Sequence, residues 1–569
     1  MSKKNELTYE NLVYKYKMPV IKSNALIKTR TVKGLIGNEN VLKSLELGLN
    51  IEEIGYNIYI VSELFEHDEK LLKEFIENVT KDKKVPDDWC YVYNFEDENT
   101  PIALNFKAKE GGIFKDDVQK IVDEIRSTLI KQFNSIEFEL QKKIIEDKYE
   151  KKATELIEEI ESDASENEFK TEITDKDIYF IPIINEEKLS EDMFDNLTKD
   201  QQKEVLKKSE ILQERATTIL KKIKMYQETE DKEIKQLKSN IAKVIVDNIM
   251  KDIIEKYKVS EKTYKYLLSI KQYMLQHPSV FKEEEDLLSM IPQVYAGSKG
   301  DETDKFTVNL FLDNSHLESA PVVIGYNLTV SQLIGKIECD TDLGTSKKDI
   351  LKIKPGLLHE ANGGYLILNI EELLYNPRAW HILKQVLKTN KINYNLCKDR
   401  SGLLIGSSLS PEEIEVNLKI VLVGDEYYCN LLKNYDNSFS SLFKTKYIVE
   451  SEVKLNENVI TQFLSEVERF TKIKNIKPLE DDAKLYLLRS YSREVMNRNK
   501  ISTNLETAYQ TLIEANKIAG SNNENIITKK LLEEAINIKE NRVNYYERRL
   551  DEFIDEEHIL IDVESKRIG

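Results

Sequence analysis

The sequence predicts an α/β protein: a three-layer αβα core, split by a long, coiled-coil-like helical insertion and followed by an all-helical domain. Three features indicate this architecture. They are short apolar runs at "NIYIV", "GGYLILNI" and "LKIVLVGD", a stretch over about residues 116–273 with almost no glycine or proline, and a helical pattern over residues 456–540. Continuous apolar runs are typical of parallel strands that are covered on both faces, so the core should contain a parallel sheet.

The amino-terminal part alternates turns, helices and strands. Residues 1–30 have a mixed composition and are expected to form an extended arm. Gly34 and Gly37 mark a turn, and a helix should follow near Val41. "NIYIV" is then the first strand, a helix follows it, and "PDDWCYVYNF" reads as a turn into a second strand. Residues 31–115 are therefore predicted to be the first half of the core.

Residues 116–300 are predicted to be the insertion. Apolar residues recur there at spacings of three and four, which indicates long helices that pack along a seam. The predicted seam residues are Leu129, Phe133, Ile136, Leu140, Ile144, Leu212, Ala216, Ile219, Ile223, Ile234, Leu237, Ile241 and Val244. An antiparallel coiled-coil arm is the simplest interpretation, and a plain helical domain with a solvated face is the alternative. "SDASENEFKTEITDKDIYFIPIINEEKLSEDMF" interrupts the pattern and reads as the tip of the arm or a small inserted element.

The α/β pattern returns after the insertion. Residues 301–455 contain three more predicted strands, in "KFTVNLFLDNS", "GGYLILNIEELL" and "LKIVLVGD", and form the second half of the core. Residues 456–540 are predicted to be all-helical. Residues 541–569 read as a helix end followed by a short strand-like piece.

Composition excludes several classes of function. The formal net charge of −18 opposes nonspecific binding to nucleic acid or to an anionic membrane. No window of about 18 residues is continuously apolar, so no membrane span is expected. Cys90, Cys339, Cys397 and Cys429 are far apart and form no CxxC pair, which predicts no metal or redox cluster and fits a reducing cytoplasm.

The stretch "NIYIVSELFEHDEKLLKEFI" poses the central question about function. Its frame, a strand, a turn of about eight residues and a helix, is that of a phosphate-binding loop, but such a loop needs glycines and a lysine inside the turn. The turn offers "SELFEHDE" instead. It is either a nucleotide site that has lost its chemistry or a turn that never had it.

Several segments resemble one family. "KPGLLHEANGGYLILNIEELLYNPRAWHILKQVLK", "GLIGNENVLKSLELGLNIEEIGYNIYIV" and "VPDDWCYVYNFEDENTPIALNF" are similar to the ATPase module of the Lon-related ATP-dependent proteases of bacteria, as are "VNLFLDNSHLESAPVV" and "SQLIGKIE". These are AAA+ proteins with an inserted helical arm, and the resemblance makes residues 456–540 the helical lid. It implies a module that binds ATP and Mg²⁺, hydrolyses ATP and moves unfolded polypeptide into a serine–lysine protease domain.

The resemblance assigns the positions of the phosphate-binding turn one by one. Ser62 and Phe65 stand where the family has glycines, and His67 replaces the glycine before the basic residue. Asp68 stands where Lys or Arg is expected, and Glu69 where the family has the Ser or Thr that holds Mg²⁺. These replacements oppose phosphate binding, because the loop needs glycine-like dihedrals. Two like charges ~4 Å apart also repel by ~1 kcal/mol in water and ~4 kcal/mol near a protein surface.

The other positions of the expected site are also changed. Asn369 occupies the first acidic position of the Mg²⁺-side strand, and Glu372 matches a family acidic position without restoring the lost one. Lys446 stands at the trans-acting arginine and Asn504 at the arginine of the lid. A lysine presents a point charge and not a bidentate fork, so its replacement of arginine is not neutral.

The family's protease residues have no counterpart in the sequence. The resemblance places the serine and lysine beyond the position equivalent to Gly569, so residues 541–569 are expected to lead toward a protease domain that the sequence lacks. The sequence does not decide between a naturally truncated chain and a fragment. His316, His359 and His381 are scattered, and a structural or surface role is expected for each.

The hypothesis is a pseudo-ATPase that keeps the fold, with no tightly bound cofactor. Two functions follow from it. The first is the AAA+ module of a Lon-like ATP-dependent serine protease, impaired here, that handles polypeptide substrates within a homo- or hetero-oligomeric ring. The second is a non-enzymatic scaffold or regulator of a protease complex. A decaying gene product without function is a third possibility, which predicts poor folding.

Overall fold

A computed structural model describes residues 35–62, 65–173, 178–184, 187–189, 194, 197–277, 302–338, 349–394, 409–497 and 499–561, with only the backbone described for 65–68, 173, 184 and 187. The predicted arm over residues 1–30 and the cysteines Cys339 and Cys397 lie outside the described residues.

A five-stranded parallel sheet forms the centre of the core, in the order β15-β1-β14-β11-β8. Each of these strands coincides with a short apolar segment of the sequence, as expected for strands buried between two layers. Their bounds are β1 Ile58–Val61, β8 Val322–Gly325, β11 Tyr365–Asn369, β14 Lys419–Gly424 and β15 Thr445–Ile448.

Helices cover both faces of this sheet. Alternate residues of β1 point to opposite faces: Ile58 and Ile60 pack with the first two helices, whereas Tyr59 and Val61 pack with the helices that follow β11 and β14. The helices of the core are α1 Glu39–Asn50, α2 Phe65–Val79, α7 Val330–Ile334, α8 Leu357–Glu360, α9 Ile370–Tyr375, α10 Pro377–Thr389, α11 Glu426–Tyr435 and α12 Phe439–Leu442. The predicted three-layer αβα core is confirmed.

Smaller sheets complete the core. β2 pairs antiparallel with both β3 and β7, and two short antiparallel pairs, β9 with β10 and β12 with β13, lie in its second half. Their bounds are β2 Asp88–Val92, β3 Ile102–Phe106, β7 Asn309–Leu312, β9 Gly335–Ile337, β10 Ile353–Pro355, β12 Lys391–Ile392 and β13 Ile414–Glu415, with single 3₁₀ turns at Glu302–Phe306 and Ile350–Lys352.

The helical insertion lies between β3 and β7. Its first helix begins at Glu110, slightly earlier than the predicted boundary at residue 116. The helices are α3 Glu110–Phe133, α4 Ile136–Glu166, α5 Lys199–Lys256 and α6 Glu261–Gln276. α4 and α5 run antiparallel, because Lys148 contacts Glu233 while Asp163, further along α4, contacts Arg215. At the far end, β4 Phe169–Ile173, β5 Ile178–Ile184 and β6 Glu187–Lys188 form the small tip sheet.

The predicted seam of the arm is partly wrong. Leu212, Ala216 and Ile219 are buried, but Ile136, Leu140 and Ile144 are 81%, 58% and 67% exposed, and Val244 is exposed as well. The physical reason is a break between α3 and α4. Ser135 caps the new helix by accepting a hydrogen bond from the backbone N–H of Phe138 at 3.2 Å, so the apolar phase of α3 does not continue into α4. The buried face of α4 carries Phe138 and Tyr149 instead.

The predicted helical lid follows the core. It consists of α13 Glu457–Ile473, α14 Asp481–Glu494, α15 Glu506–Ser521 and α16 Lys529–Val543, with the strand pair β16 Glu452–Lys454 and β17 Lys500–Ser502. Gln462 of α13 accepts a hydrogen bond from the backbone N–H of Gly37, which ties the lid to the start of the core. The last described helix is α17 Tyr545–Asp555. Residues 556–561 after it contain no strand, and the rest of the predicted strand-like piece lies outside the described residues.

Across the part of the chain that the structure describes, every helix is too short or too polar to span a bilayer.

The three histidines considered above do not come together. His316 and His381 are exposed, whereas His359 is buried, with its ring stacked on Tyr394 and edge-on to Phe311. Burial lowers the pKa of His359 to about 3, since the charged imidazolium would lose its hydration in this aromatic environment.

His359 should therefore make the protein acid-labile. His359 binds a proton near pH 6.5 in the unfolded chain but stays neutral in the folded chain. Its contribution to stability is therefore present above pH 6.5 and is lost as the pH falls. Between pH 7 and pH 5 the loss should be about 2 kcal/mol. Urea titrations at both pH values should show that the free energy of unfolding depends less on pH in His359→Phe than in the wild type. Titrating carboxylates affect both proteins equally, so the difference reports on His359. Equal pH dependence in the two proteins would contradict the assignment.

Candidate functional site

The carboxyl edge of the parallel sheet brings several of the singled-out residues together. Val61 is in register with Gly424, and Asn369 is in register with Val423. Ser62, Asn369 and Asp425 therefore lie side by side where three adjacent strands end. Ser62 is buried, and its backbone N–H donates to the carbonyl of Gly424 at 3.0 Å. Ligands of open α/β sheets bind outside this edge, so it is the place to examine for a nucleotide site.

The turn after β1 is shorter than the sequence analysis predicts. β1 ends at Val61 and α2 begins at Phe65, so residues 62–64 alone separate them. Phe65, His67 and Asp68 lie in the first turn of α2, and their side chains are outside the described part of the structure. The turn contains no glycine, and acidic residues favour the start of a helix through its dipole, so the helix begins early. Glu69 is buried within α2.

Asn369 serves as the cap of a helix. Its side-chain oxygen accepts hydrogen bonds from the backbone N–H groups of Glu371 at 2.8 Å and of Glu372 at 3.1 Å, which begins α9 directly after β11. An asparagine is among the best residues for this task. Its acceptor atom is thus engaged by the backbone.

Ile370 fills the space beside Asn369. It is fully buried, and a Cβ placed on Gly424 would overlap its Cγ2 atom and lie 2.9 Å from the hydroxyl of Tyr59. Tyr59 itself is buried and donates a hydrogen bond to the carbonyl of Asp425 at 2.8 Å. This packed group of Ile370, Tyr59 and Gly424 does not correspond to any motif in the sequence. The alternation within "NIYIV", which directs Tyr59 to the same face as Val61, was the available signal.

The acidic pair that follows makes local contacts. Glu372 accepts a hydrogen bond from the backbone N–H of Asn327 at 3.1 Å, and Asn327 has a positive φ of 53°. Glu371 accepts one from the hydroxyl of Tyr375 at 3.2 Å. Both acids lie in the first turn of α9, where the helix dipole favours negative charge. Glu372 therefore holds the loop after β8 in place.

Lys446 lies within edge strand β15, in register with Tyr59 of β1. Its ammonium group is 2.6 Å from a carboxylate oxygen of Glu426 in the first turn of α11. Hydrogen bonding to Lys446 holds the pKa of Glu426 below its usual value. Asp425, directly before this helix, caps it by accepting from the backbone N–H of Tyr428 at 3.0 Å. The cation at the expected arginine position is thus paired inside its own chain.

Asn504 lies in the lid, between β17 and α15. Its side-chain oxygen accepts from the backbone N–H of Glu506 at 3.0 Å, and its carbonyl accepts from the hydroxyl of Tyr491. These contacts fix the turn that begins α15. The structure gives Asn504, like Asn369 and Asp425, a role in starting a helix.

A cavity of about 130 Å³ lies at the opposite, amino edge of the sheet, and the sequence analysis missed it. Lys419 and Lys83 line it, together with the backbone of Gly363 and Gly364. Lys419 donates to the carbonyls of Gly48, at 2.6 Å, and Ile51, which end α1. Burial lowers the pKa of Lys419 to about 8, with a further effect of Lys83. Lys419 thus stabilises a helix terminus, as expected for a cation there.

Among the residues whose positions are described, no group of three or more His, Cys, Asp and Glu side chains is arranged to hold a metal ion.

Three family models match separate parts of the chain. The LonB-like AAA domain matches residues 318–450, the Lon-like LonC helical domain matches residues 88–121, and the archaeal LonB AAA+ ATPase LID domain matches residues 478–542. Together with the split αβα core and the lid, these matches define an AAA+ module. The three matches agree with the resemblance to the Lon-related AAA+ proteins that the sequence predicts.

One curated relative is the putative Lon protease homolog of Escherichia coli (strain K12). It is 24% identical over 222 residues, which cover 38% of this chain and 36% of the relative. The match thus spans about a third of the relative's length.

Solved structures of two other proteins match part of the chain. NtrX from Brucella abortus is 17% identical, with a TM-score of 0.24, over 35% of this chain and 41% of its own. A RuvB mutant from Thermotoga maritima is 12% identical, with a TM-score of 0.22, over 36% of this chain and 54% of its own. At such TM-scores these structures carry no argument about function.

Proposed function

We propose that this chain is the AAA+ module of a Lon-related proteolytic machine, that it handles polypeptide substrates for proteolysis, and that its nucleotide site is degenerate. The observation that carries the second half of the proposal is the pair Asn369–Ile370. Asn369, at the first acidic position that the family resemblance implies, caps a helix, and Ile370, which follows it, is buried in the core.

The described residues do not fit ATP and Mg²⁺. Mg²⁺ is held by carboxylates, water and phosphate oxygens, but the acceptor of Asn369 is already bonded to two backbone N–H groups. Ile370 offers no oxygen and occupies the space against Gly424. Lys446 is neutralised by Glu426. The eight positions that a phosphate loop would occupy, 62–69, contain no glycine and no lysine, and the last five of them lie in α2.

Polypeptide handling and ring assembly are proposed from the family relationship. A long arm projects from the core and ends in a small sheet, which suits a protein that contacts clients or neighbouring subunits. We propose unfolded polypeptides as clients, a homo- or hetero-oligomeric ring as the assembly, and the cytoplasm as the location.

A second candidate function is a non-enzymatic scaffold or regulator of a protease complex. It is supported by the local hydrogen bonds of Asn369, Asp425 and Asn504, because each of them fixes the start of a helix without a nucleotide. Both candidates share the degenerate site and differ in whether the chain itself delivers clients to a peptidase.

A direct binding measurement tests the degenerate site. Calorimetry with ATP and Mg²⁺ should detect no binding up to about 1 mM, since a micromolar site would require about 8 kcal/mol of interaction energy that the described residues do not provide. A Lon-related ATPase with an intact phosphate loop, measured in parallel, serves as the positive control. Micromolar affinity in this chain would overturn the proposal.

A second measurement separates the two candidate functions. Binding of a fluorescently labelled, permanently unfolded polypeptide should be detectable and should have the same affinity with and without ATP. If the first function is correct, adding a Lon-type peptidase domain should accelerate cleavage of this client. A client that binds without any such acceleration favours the regulator.

A further inference from the structure

Three apolar side chains form an exposed row on the arm. Ile136, Leu140 and Ile144, here called the α4 stripe, are 81%, 58% and 67% exposed. They are spaced by four residues along a continuous helix, so they form one ridge on its surface. The side of α4 that contacts α5 is a different one, since Phe138 and Tyr149 are the buried residues there. Exposed apolar rows of this kind mark sites of association.

The stripe is accessible to a large partner. It begins after the end of α3. This helix has 24 residues and is therefore about 36 Å long, which is the distance along the helix axis between the start of α3 and the stripe. A second arm could therefore approach it without meeting the core of the first chain.

The charges beside the stripe determine which relative orientation of two arms is favourable. Successive residues of a helix are separated by about 100°, which places Glu139 and Lys143 on one flank of the stripe and Glu137 and Gln141 on the other. All four are exposed. In an antiparallel pair with a two-fold axis at Leu140, each flank meets the same flank of the second copy in reverse order.

Antiparallel pairing is self-complementary. It places Glu139 of each copy near Lys143 of the other, twice across the two-fold axis, and Leu140 against Leu140. The two Glu139 side chains also approach each other once across the axis, but the two attractive pairs outnumber this single repulsive one. A parallel pair would bring opposite flanks together and place Glu139 near Glu137 of the second copy, where like charges repel. Two ridges with a spacing of four residues pack with their axes at about −50°.

We propose that the α4 stripe is a contact between two copies of this chain, in which the α4 helices cross antiparallel about a two-fold axis at Leu140. Such a contact is isologous and closes on itself. It covers about two and a half turns of each helix, so the area that it buries is far below the roughly 1,600 Å² of a standard stable interface. The contact is therefore weak by itself and strengthens an assembly that other surfaces also hold. The proposal does not depend on the state of the nucleotide site.

Disulfide trapping tests the contact. In a background with Cys339→Ser and Cys397→Ser, Leu140→Cys should form an intermolecular disulfide under mild oxidation, because the two Cβ atoms face each other at the axis. Val259→Cys is the matched control, since Val259 is 99% exposed and lies outside the stripe. Leu140→Cys should cross-link about tenfold faster than the control, as expected for a specific contact rather than random collision. Equal rates would overturn the proposal.

A charge exchange tests the orientation. Glu139→Lys or Lys143→Glu, each added to Leu140→Cys, should slow cross-linking about fivefold, because attraction becomes repulsion at two symmetric places. The double exchange should restore the rate, since it reverses both charges and leaves the net charge unchanged. Antiparallel pairing would be contradicted if neither single exchange changed the cross-linking rate, or if the double exchange cross-linked as slowly as the single exchanges.

Other occupants of the stripe give different results. If another part of the same chain covers it, Leu140→Cys in dilute monomer should react with maleimide much more slowly than Val259→Cys, and the proposal fails. If unfolded clients bind there, Leu140→Asp should weaken client binding while Leu140→Cys cross-links no faster than the control, and the proposal fails again. Far-ultraviolet circular dichroism checks that each variant keeps its helices.

Discussion

Replacing Ile370 with glutamate should destabilise the protein by about 4 kcal/mol or more, which is an exceptionally large effect for a single substitution. Ile370 is fully buried and packs against Gly424 and the hydroxyl of Tyr59. The substitution removes apolar packing and places a carboxyl group where it has no partner, and both changes cost free energy. It would place an acid directly after Asn369, yet the expected result is unfolding and not a gain of ATP hydrolysis.

Urea unfolding of Ile370→Glu and Ile370→Val measures this effect. The valine variant keeps the shape and polarity of the site and should lose only about 1 kcal/mol. The two variants should also differ in pH dependence. A buried glutamate has a raised pKa, so the folded state binds the proton more tightly than the unfolded state, and the loss of stability should shrink as the pH falls toward 4.5. A loss below 2 kcal/mol, or one that is independent of pH, would show that the site tolerates an acid.

The packing of Ile370 limits how an acid could be introduced at this edge of the sheet. If the core depends on Ile370, the proposed loss of the nucleotide site is built into the packing of this edge, and a single substitution cannot reverse it. Asn369 and Lys446 support the same conclusion, because each has acquired a structural contact, one with a helix start and the other with Glu426. Substitutions that put acidic or basic residues back at these positions, alone or together, should then not restore nucleotide binding unless the packing around Tyr59 changes as well.

The central sheet was predictable because its signal is local. "NIYIV", "GGYLILNI" and "LKIVLVGD" are apolar at every position, and a strand in the middle of a parallel sheet needs this pattern. The phase of the arm was not predictable in the same way. The apolar spacing from Leu129 to Ile144 is that of one continuous helix, but the capping bond at Ser135 begins a new helix. The short irregular segment between the two helices changes which face of the second one is buried.

At the candidate site, too, local features were predictable and contacts between distant residues were not. The replaced residue types could be read from the resemblance, since they are properties of single positions. Their new contacts could not be predicted, because Lys446 and Glu426, or Glu372 and Asn327, are brought together only by the fold. The length of the turn after β1 was mispredicted, since the family frame assumes glycines that allow a wide loop.

The second large effect is expected at the glycine pair before β11. A Cβ on Gly364 would overlap the backbone carbonyl of Pro321 and lie 2.8 Å from its ring, and Gly363 has a φ of +79°, which other residues rarely adopt. The carbonyl of Pro321 also accepts a hydrogen bond from Tyr365 at 2.8 Å, and that of Gly364 accepts one from Lys419 at 3.0 Å. Gly364 is thus the point where the starts of β8, β11 and β14 meet.

Gly364→Ala should therefore lower the free energy of unfolding by about 3 kcal/mol, because an added methyl group can be relieved only by moving the backbone of a neighbouring strand. Gly520→Ala is the matched control: Gly520 lies near the end of α15 with nothing within 4 Å of an added Cβ. It should stabilise the protein by about 0.5–1 kcal/mol, since alanine loses less backbone entropy in a helix than glycine. Urea unfolding of the two variants separates steric overlap from backbone entropy, since both add the same methyl group. A loss below 1 kcal/mol for Gly364→Ala would mean that β8 can shift freely against β11, and the three strands would then not be fixed at their amino ends by this turn.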